Sequence, residues 1–199
     1  MGLKFTNTAA TTAAVTNRFV TSTNMKVGTY TIANASPVWS GGCLVTVTHT
    51  EVGGGVDTLG TITIAGTDLN GAAISEVITP VNGTTATSTK VFRTVTSATG
   101  AGWVIGTGND TIVIGCAAGN IACGSGGTLG GILVNNVVAT AFTVADATGT
   151  IATVPASQAA GTYYNLQGVD FGGYLKVSTT AANDVTVFHT GTLPGSYAP

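Results

Sequence analysis

The stretch LGTITIAGTDLNGAAISEVITPVNGTTATSTKVFRTV (residues 59–95) decides the fold. Along 61–65, Ile62 and Ile64 face one way while Thr61, Thr63 and Ala65 face the other, the period-two alternation of a strand. The chain turns at 66–71, returns through 74–78, turns at Asn82-Gly83 and returns through 90–95. Asn-Gly accepts the positive φ of tight turns, so two such turns between β-branched runs predict an antiparallel meander. Glu76 shares a face with Ile74 and Ile78, so either that face is open to water or Glu76 meets a partner such as Arg93 on the next strand, the paired reading being preferred.

The same pattern extends on both sides. Before the meander, strands are expected at 29–32 and 43–49. After it they are expected at 103–105 and 111–114. Short strands at this spacing describe a sandwich or small barrel. Residues 115–131 hold seven glycines, which places a boundary there. Beyond it, strands are expected at 129–135, 137–144, 150–154, 162–167, 174–177 and 185–189. The expected fold is all-β, with two tandem antiparallel β-sandwich or small-barrel domains behind an extended N-terminal arm. The expected boundaries are 1–27 for the arm, 28–115 for the first domain and 116–128 for a Gly-rich linker. The second domain takes 129–192, and 193–199 form a proline-containing tail.

Composition excludes several functions. Of 199 residues 44% are apolar, enough for a core, but only 7% are charged, against roughly 25% in an ordinary domain. Six Lys and Arg face eight acids, so no basic stripe for nucleic acid can form. No apolar run reaches the roughly 20 residues of a membrane span, and the first residues lack the apolar core of a signal peptide. Thr, Ala, Gly and Val stand where Lys and Glu usually do. A surface solvated by hydroxyls with net charge −2 is prone to association, so much of it is expected to be covered by copies of the chain or by partners, the alternative being a neutral, Thr-coated extracellular domain.

Candidate chemistry is sparse. His49 and Glu51 stand two apart on a strand, but a metal site needs a third ligand, and His189 is the only other histidine. Asp68-Leu69-Asn70-Gly71 opens like a calcium loop without its later ligands, and a turn explains it. Asp146, Asp170 and Asp184 sit singly at expected turns, where Asp bonds its own backbone. No Gly-x-Ser-x-Gly elbow or phosphate-binding loop occurs. Trp39 and Trp103 read as core plugs, and one of Tyr163 and Tyr164 faces outward. The three cysteines, Cys43, Cys116 and Cys123, leave at least one thiol outside any intrachain pair. Cys116 and Cys123 are spaced to close a small loop, but buried thiols acting as small apolar side chains are preferred. No catalytic, cofactor-binding or metal-ligating residue is assigned, and no cofactor is expected.

TITIAGTDLNGAAISEVIT (61–79), NGTT (82–85) and TKVFRTVTSAT (89–99) resemble a segment that recurs in structural proteins of tailed bacteriophages. GTLGGILVNN (127–136), GTYYNLQG (161–168) and GGYLKVSTTAANDVTVFHTG (172–191) resemble a second small β-domain of phage virions. The resemblance implies a non-enzymatic virion protein, foremost a capsid decoration or cement protein. The alternative is a tail, baseplate or fibre component that contacts host glycan. The implied partners are the major capsid protein or other virion proteins and further copies of the chain, a trimer being one form. Neither nucleic acid nor membrane is expected as a partner, and the implied location is the virion. No functional residue carries over.

Overall fold

Alternating Val, Ile and Thr make strands nearly everywhere. The structure, a computed structural model, describes residues 4–10, 13–37, 41–54, 57–178 and 182–191. In chain order the strands are β1 (Lys4–Ala10), β2 (Val15–Asn24), β3 (Thr29–Tyr30), β4 (Cys43–Thr50), β5 (Thr61–Thr67) and β6 (Ala73–Ile78). They continue with β7 (Thr85–Phe92), β8 (Thr94–Ala101), β9 (Thr111–Cys116), β10 (Asn120–Cys123) and β11 (Gly127–Val134). The last are β12 (Phe142–Ala145), β13 (Thr150–Val154), β14 (Tyr163–Phe171), β15 (Leu175–Ser178) and β16 (Ala182–His189). A 3₁₀ turn, Met25–Val27, joins β2 to β3, and no α-helix occurs among the described residues.

The chain forms two compact units. One is Ala14–Ala117, and the other joins Met1–Ala13 to Ala118–Pro199. The first is therefore inserted, in sequence, between the first and second strands of the other; we call them the inserted and host units. The inserted unit has two sheets, ordered β2-β9-β4-β7 and β3-β8-β5-β6. The host unit has β1-β16-β11-β14 and β10-β15-β12-β13. Numbered one to eight within each unit, both read 1-8-3-6 and 2-7-4-5. Eight antiparallel strands in this order are a jelly roll, two Greek keys folded into a double sheet. The two halves of the chain share one topology.

Each unit has its own core. In the inserted unit, Phe19 and Val20 of β2, Val45 and Val47 of β4, Ile62 and Ile64 of β5, Phe92 of β7 and Ile112 and Ile114 of β9 lie buried in one cluster. Trp103, expected as a core plug, is partly buried and packs against that cluster rather than within it. The host core gathers Leu129, Ile132 and Val134 of β11 with Phe142 and Val144 of β12, Leu175 and Val177 of β15 and Val185 and Val187 of β16.

The all-β, sandwich-like architecture agrees with expectation, but several boundaries and pairings differ. Within the expected arm, 1–27, the described residues form strands instead of an arm. β1 pairs with β16 from Lys4 opposite His189 to Ala10 opposite Ala182, and β2 pairs with β9. Main-chain hydrogen bonds hold such edge strands, and composition does not record them. The expected linker, 116–128, contains β10 and the start of β11. Its glycines serve close approach as well as turns: a Cβ at Gly119 would meet the Lys176 side chain at 3.0 Å. Residues 137–141 form a loop, and of 103–105 only Val104 makes a bridge, to Thr58.

The meander is half right. β5 and β6 pair as a hairpin through 68–72, with Gly71 at φ +84°. At Asn82-Gly83 the chain instead crosses to the other sheet, where β7 pairs with β4. It then turns at Arg93 so that β8 returns beside β5. Gly83 does adopt positive φ, +63°, but a turn fixes a reversal and not the strand that receives it. Trp39 and the tail, 193–199, lie outside the described residues.

Candidate functional surface

The ionisable side chains show first what they are used for. His49 is fully buried at the end of β4, and its Nε2 lies 3.0 Å from Asp110 Oδ2. The Gly83 N–H donates to His49 Nδ1 at 3.2 Å, so Nε2 carries the proton that goes to Asp110. Both ring nitrogens are thereby occupied, and the imidazole has none left to serve as a general base. Asp110 Oδ1 also accepts the Val52 N–H at 2.8 Å. Burial alone would raise the Asp110 carboxyl, but the Val52 N–H and His49 outweigh it and hold it below the usual range. Glu51 lies on the exposed side and accepts from Asn82 Nδ2 at 2.8 Å. His49 and Glu51 thus have separate partners, Asp110 and Gly83 for the one and Asn82 for the other, and His189 lies in the host unit.

The remaining acids organise loops. Asp57 Oδ1 accepts the Gly106 N–H at 2.7 Å. Asp68 Oδ1 accepts the N–H groups of Asn70 and Ala72. Asp146 Oδ1 accepts from the Thr148 N–H, the Thr148 hydroxyl and the Gly149 N–H, and its Oδ2 accepts the Gly172 N–H at 2.9 Å. Asp184 Oδ1 accepts from Asn135 Nδ2 at 2.8 Å. Glu76 meets Thr89 and Lys90 rather than Arg93. It accepts both of their backbone N–H groups, at 2.7 and 2.9 Å. Arg93 Nη1 instead donates to the Leu69 carbonyl. Among the described residues, Asp170 is the one acid without a side-chain role of this kind. The cations behave alike: Arg18, Lys26 and Lys90 donate to the carbonyls of Ser36, Gly108 and Ser75.

What faces outward is mostly hydroxyl. In the β3-β8-β5-β6 sheet the register aligns Thr29 with Thr99, Thr99 with Thr63, and Thr63 with Val77, one row across all four strands. The next row aligns Ser97, Ala65 and Ser75. No ionisable residue stands in either row, and Val77 is 61% exposed. Elsewhere, threonine pairs bond across strands through their hydroxyls, Thr48 with Thr85 and Thr67 with Thr94, both at 2.7 Å. The expectation of a hydroxyl-solvated surface therefore has a specific location. Neither this face nor the His49–Asp110 pair was legible before the strand register was known.

Among the described residues no group of three or more His, Cys, Asp and Glu is placed to hold a metal ion. No helix among them is long and apolar enough to cross a membrane. Compared with family models, curated proteins and solved structures, the chain matches none.

Proposed function

We propose that this chain is a non-enzymatic structural protein of a tailed-bacteriophage virion, a decoration or cement protein that binds the capsid lattice and stabilises the head. One observation carries the proposal: the chargeless rows on the β3-β8-β5-β6 sheet, in a chain whose carboxylates mostly serve its own loops. Such a face binds by area, at about 25 cal/mol per Å² of apolar surface removed from water. It needs no charged partner, but each hydroxyl it buries must find a hydrogen-bond partner in the contact. A lattice that offers the same contact many times multiplies weak binding by avidity. The proposed partners are the major capsid protein, other virion proteins and further copies of this chain.

The test is co-sedimentation of the purified protein with capsids that lack it, followed by imaging of the particles. Regular occupancy together with a raised capsid melting temperature supports the proposal. Failure to co-sediment at saturating protein overturns it, and occupancy of tails alone moves the protein to the tail, baseplate or fibre.

A further inference from the structure

β4 and β9 are neighbours, with Val45 opposite Cys116 and Thr46 opposite Gly115. Cys43 lies two residues before Val45, so it shares that residue's face and sits diagonal to Cys116. Both side chains are buried in the inserted unit's core. Their Sγ atoms are 2.9 Å apart. That is well inside the roughly 3.5–4 Å at which non-bonded heavy atoms rest. It is within about 1 Å of the covalent sulfur–sulfur length of roughly 2.05 Å.

We propose that Cys43 and Cys116 are a modification site, oxidised to a cross-strand disulfide by a low-molecular-weight disulfide such as oxidised glutathione. One cysteine, as thiolate, attacks a sulfur of the small disulfide and releases one small thiol, leaving a mixed disulfide on the protein. The second cysteine then attacks that protein-bound sulfur and expels the other small thiol. Two electrons pass from the cysteine pair to the small disulfide, and the two cysteine protons end on the two thiols released.

The surroundings decide when this happens. The hydrogen bond with Cys116 and then burial push the Cys43 thiol up, and the opposing pull of Arg18 is weaker. The folded core thus holds little of the reactive thiolate and excludes the reagent. The bond forms while the chain folds or when the unit opens, and is then sealed. It joins residues 73 positions apart and ties together the two central strands of the β2-β9-β4-β7 sheet. Cys123 belongs to the host unit and stays outside the pair, which accounts for the odd cysteine count. The proposal is independent of any role in a virion.

The experiment refolds the full chain in a mixture of reduced and oxidised glutathione, denatures it in acid, alkylates it and maps the peptides. The expected product has one alkylated cysteine, Cys123, a linked Cys43–Cys116 peptide and an intact mass lower by about 2 Da before alkylation. A reductant added during unfolding should lower the melting temperature of the inserted unit by roughly 10 °C. The Cys123→Ala variant should leave no cysteine to alkylate. Alkylation of all three cysteines after oxidative refolding, or Cys123 in the linked peptide, overturns the proposal.

Discussion

Asp68 and Asp146 occupy the same place in their respective units, the first position of the turn between the fourth and fifth strands. Each carboxylate gathers backbone N–H groups of its own turn, those of Asn70 and Ala72 for Asp68 and of Thr148 and Gly149 for Asp146. The sequences, Asp-Leu-Asn-Gly and Asp-Ala-Thr-Gly, are two versions of one solution to the same reversal. Shared strand order and a shared turn make the chain read as one jelly roll used twice.

The two carboxylates should differ in importance. Asp146 is buried and also holds Gly172, so it ties the turn to the loop before β15. Asp146→Ala would strand several N–H groups and is expected to cost about 3 kcal/mol, against about 1 kcal/mol for Asp68→Ala. Urea denaturation of each variant measures this. Burial by itself would raise the Asp146 carboxyl, but the Gly172 N–H, the Thr148 hydroxyl and N–H, and the Gly149 N–H hold it low. A depressed folded pKa means that this stability is present above the unfolded value, about 3.9, and is lost as pH falls through the folded one. The urea midpoint of the host unit should therefore drop on acidification below about pH 4, and less steeply in Asp146→Asn. Equal slopes in both proteins would remove Asp146 as the cause.

The insertion makes a second prediction. β1 is the host unit's first strand and, among the described residues, an edge strand paired with β16. Deleting residues 1–12 should uncover the main chain of β16 and lower the melting temperature of the host unit. The inserted unit should melt as before, because Ala14–Ala117 retains all eight of its strands. Hydrogen exchange resolved by peptide separates the two. Loss of protection throughout β4, β5 and β9 would show that the units do not fold independently.

Strand identity was legible in the sequence wherever period-two alternation was strong, as in Cys43–Thr50 and Thr61–Thr67. Pairing was not. Asn82-Gly83 announces a reversal, but the sequence holds no sign that the next strand leaves β6 and joins β4. β1 and β2 were unreadable for another reason: Thr, Ala and Asn carry little periodic signal, and an edge strand is held by its backbone. The Cys43–Cys116 and His49–Asp110 contacts join residues 73 and 61 positions apart. They follow from the register of β4 against β9, which only the folded chain supplies.

Glu76 offers a third test. β7 bulges at residues 88–90, where Leu44 pairs with Val91 but Thr46 with Thr87. Ser88 Oγ accepts the Val45 N–H inside the bulge, while Glu76 reaches from β6 in the other sheet to take the N–H groups of Thr89 and Lys90. Glu76→Gln replaces one acceptor oxygen with a donor facing an N–H, so a loss of about 1–2 kcal/mol is expected. Amide exchange at Thr89 and Lys90 should quicken while exchange in β5 stays unchanged. Unaltered exchange at both amides would mean that water replaces the carboxylate there without cost.

The chargeless face allows stability and binding to be separated. Thr63 stands in the row between Thr99 and Val77, its side chain on the outward side of β5. Thr63→Lys puts a flexible cation there without entering the core, so unfolding free energy should change by less than about 0.5 kcal/mol. If this face packs against capsid subunits, the buried ammonium would have to be desolvated without a partner, and occupancy of capsids should fall by roughly tenfold or more. Thr153→Lys, at an exposed position on β13 of the host unit, is the control and should bind as the unaltered protein does. Loss of binding in Thr153→Lys with Thr63→Lys unaffected would move the contact to the host unit. Full binding by both variants would remove the β3-β8-β5-β6 face from the proposed interaction.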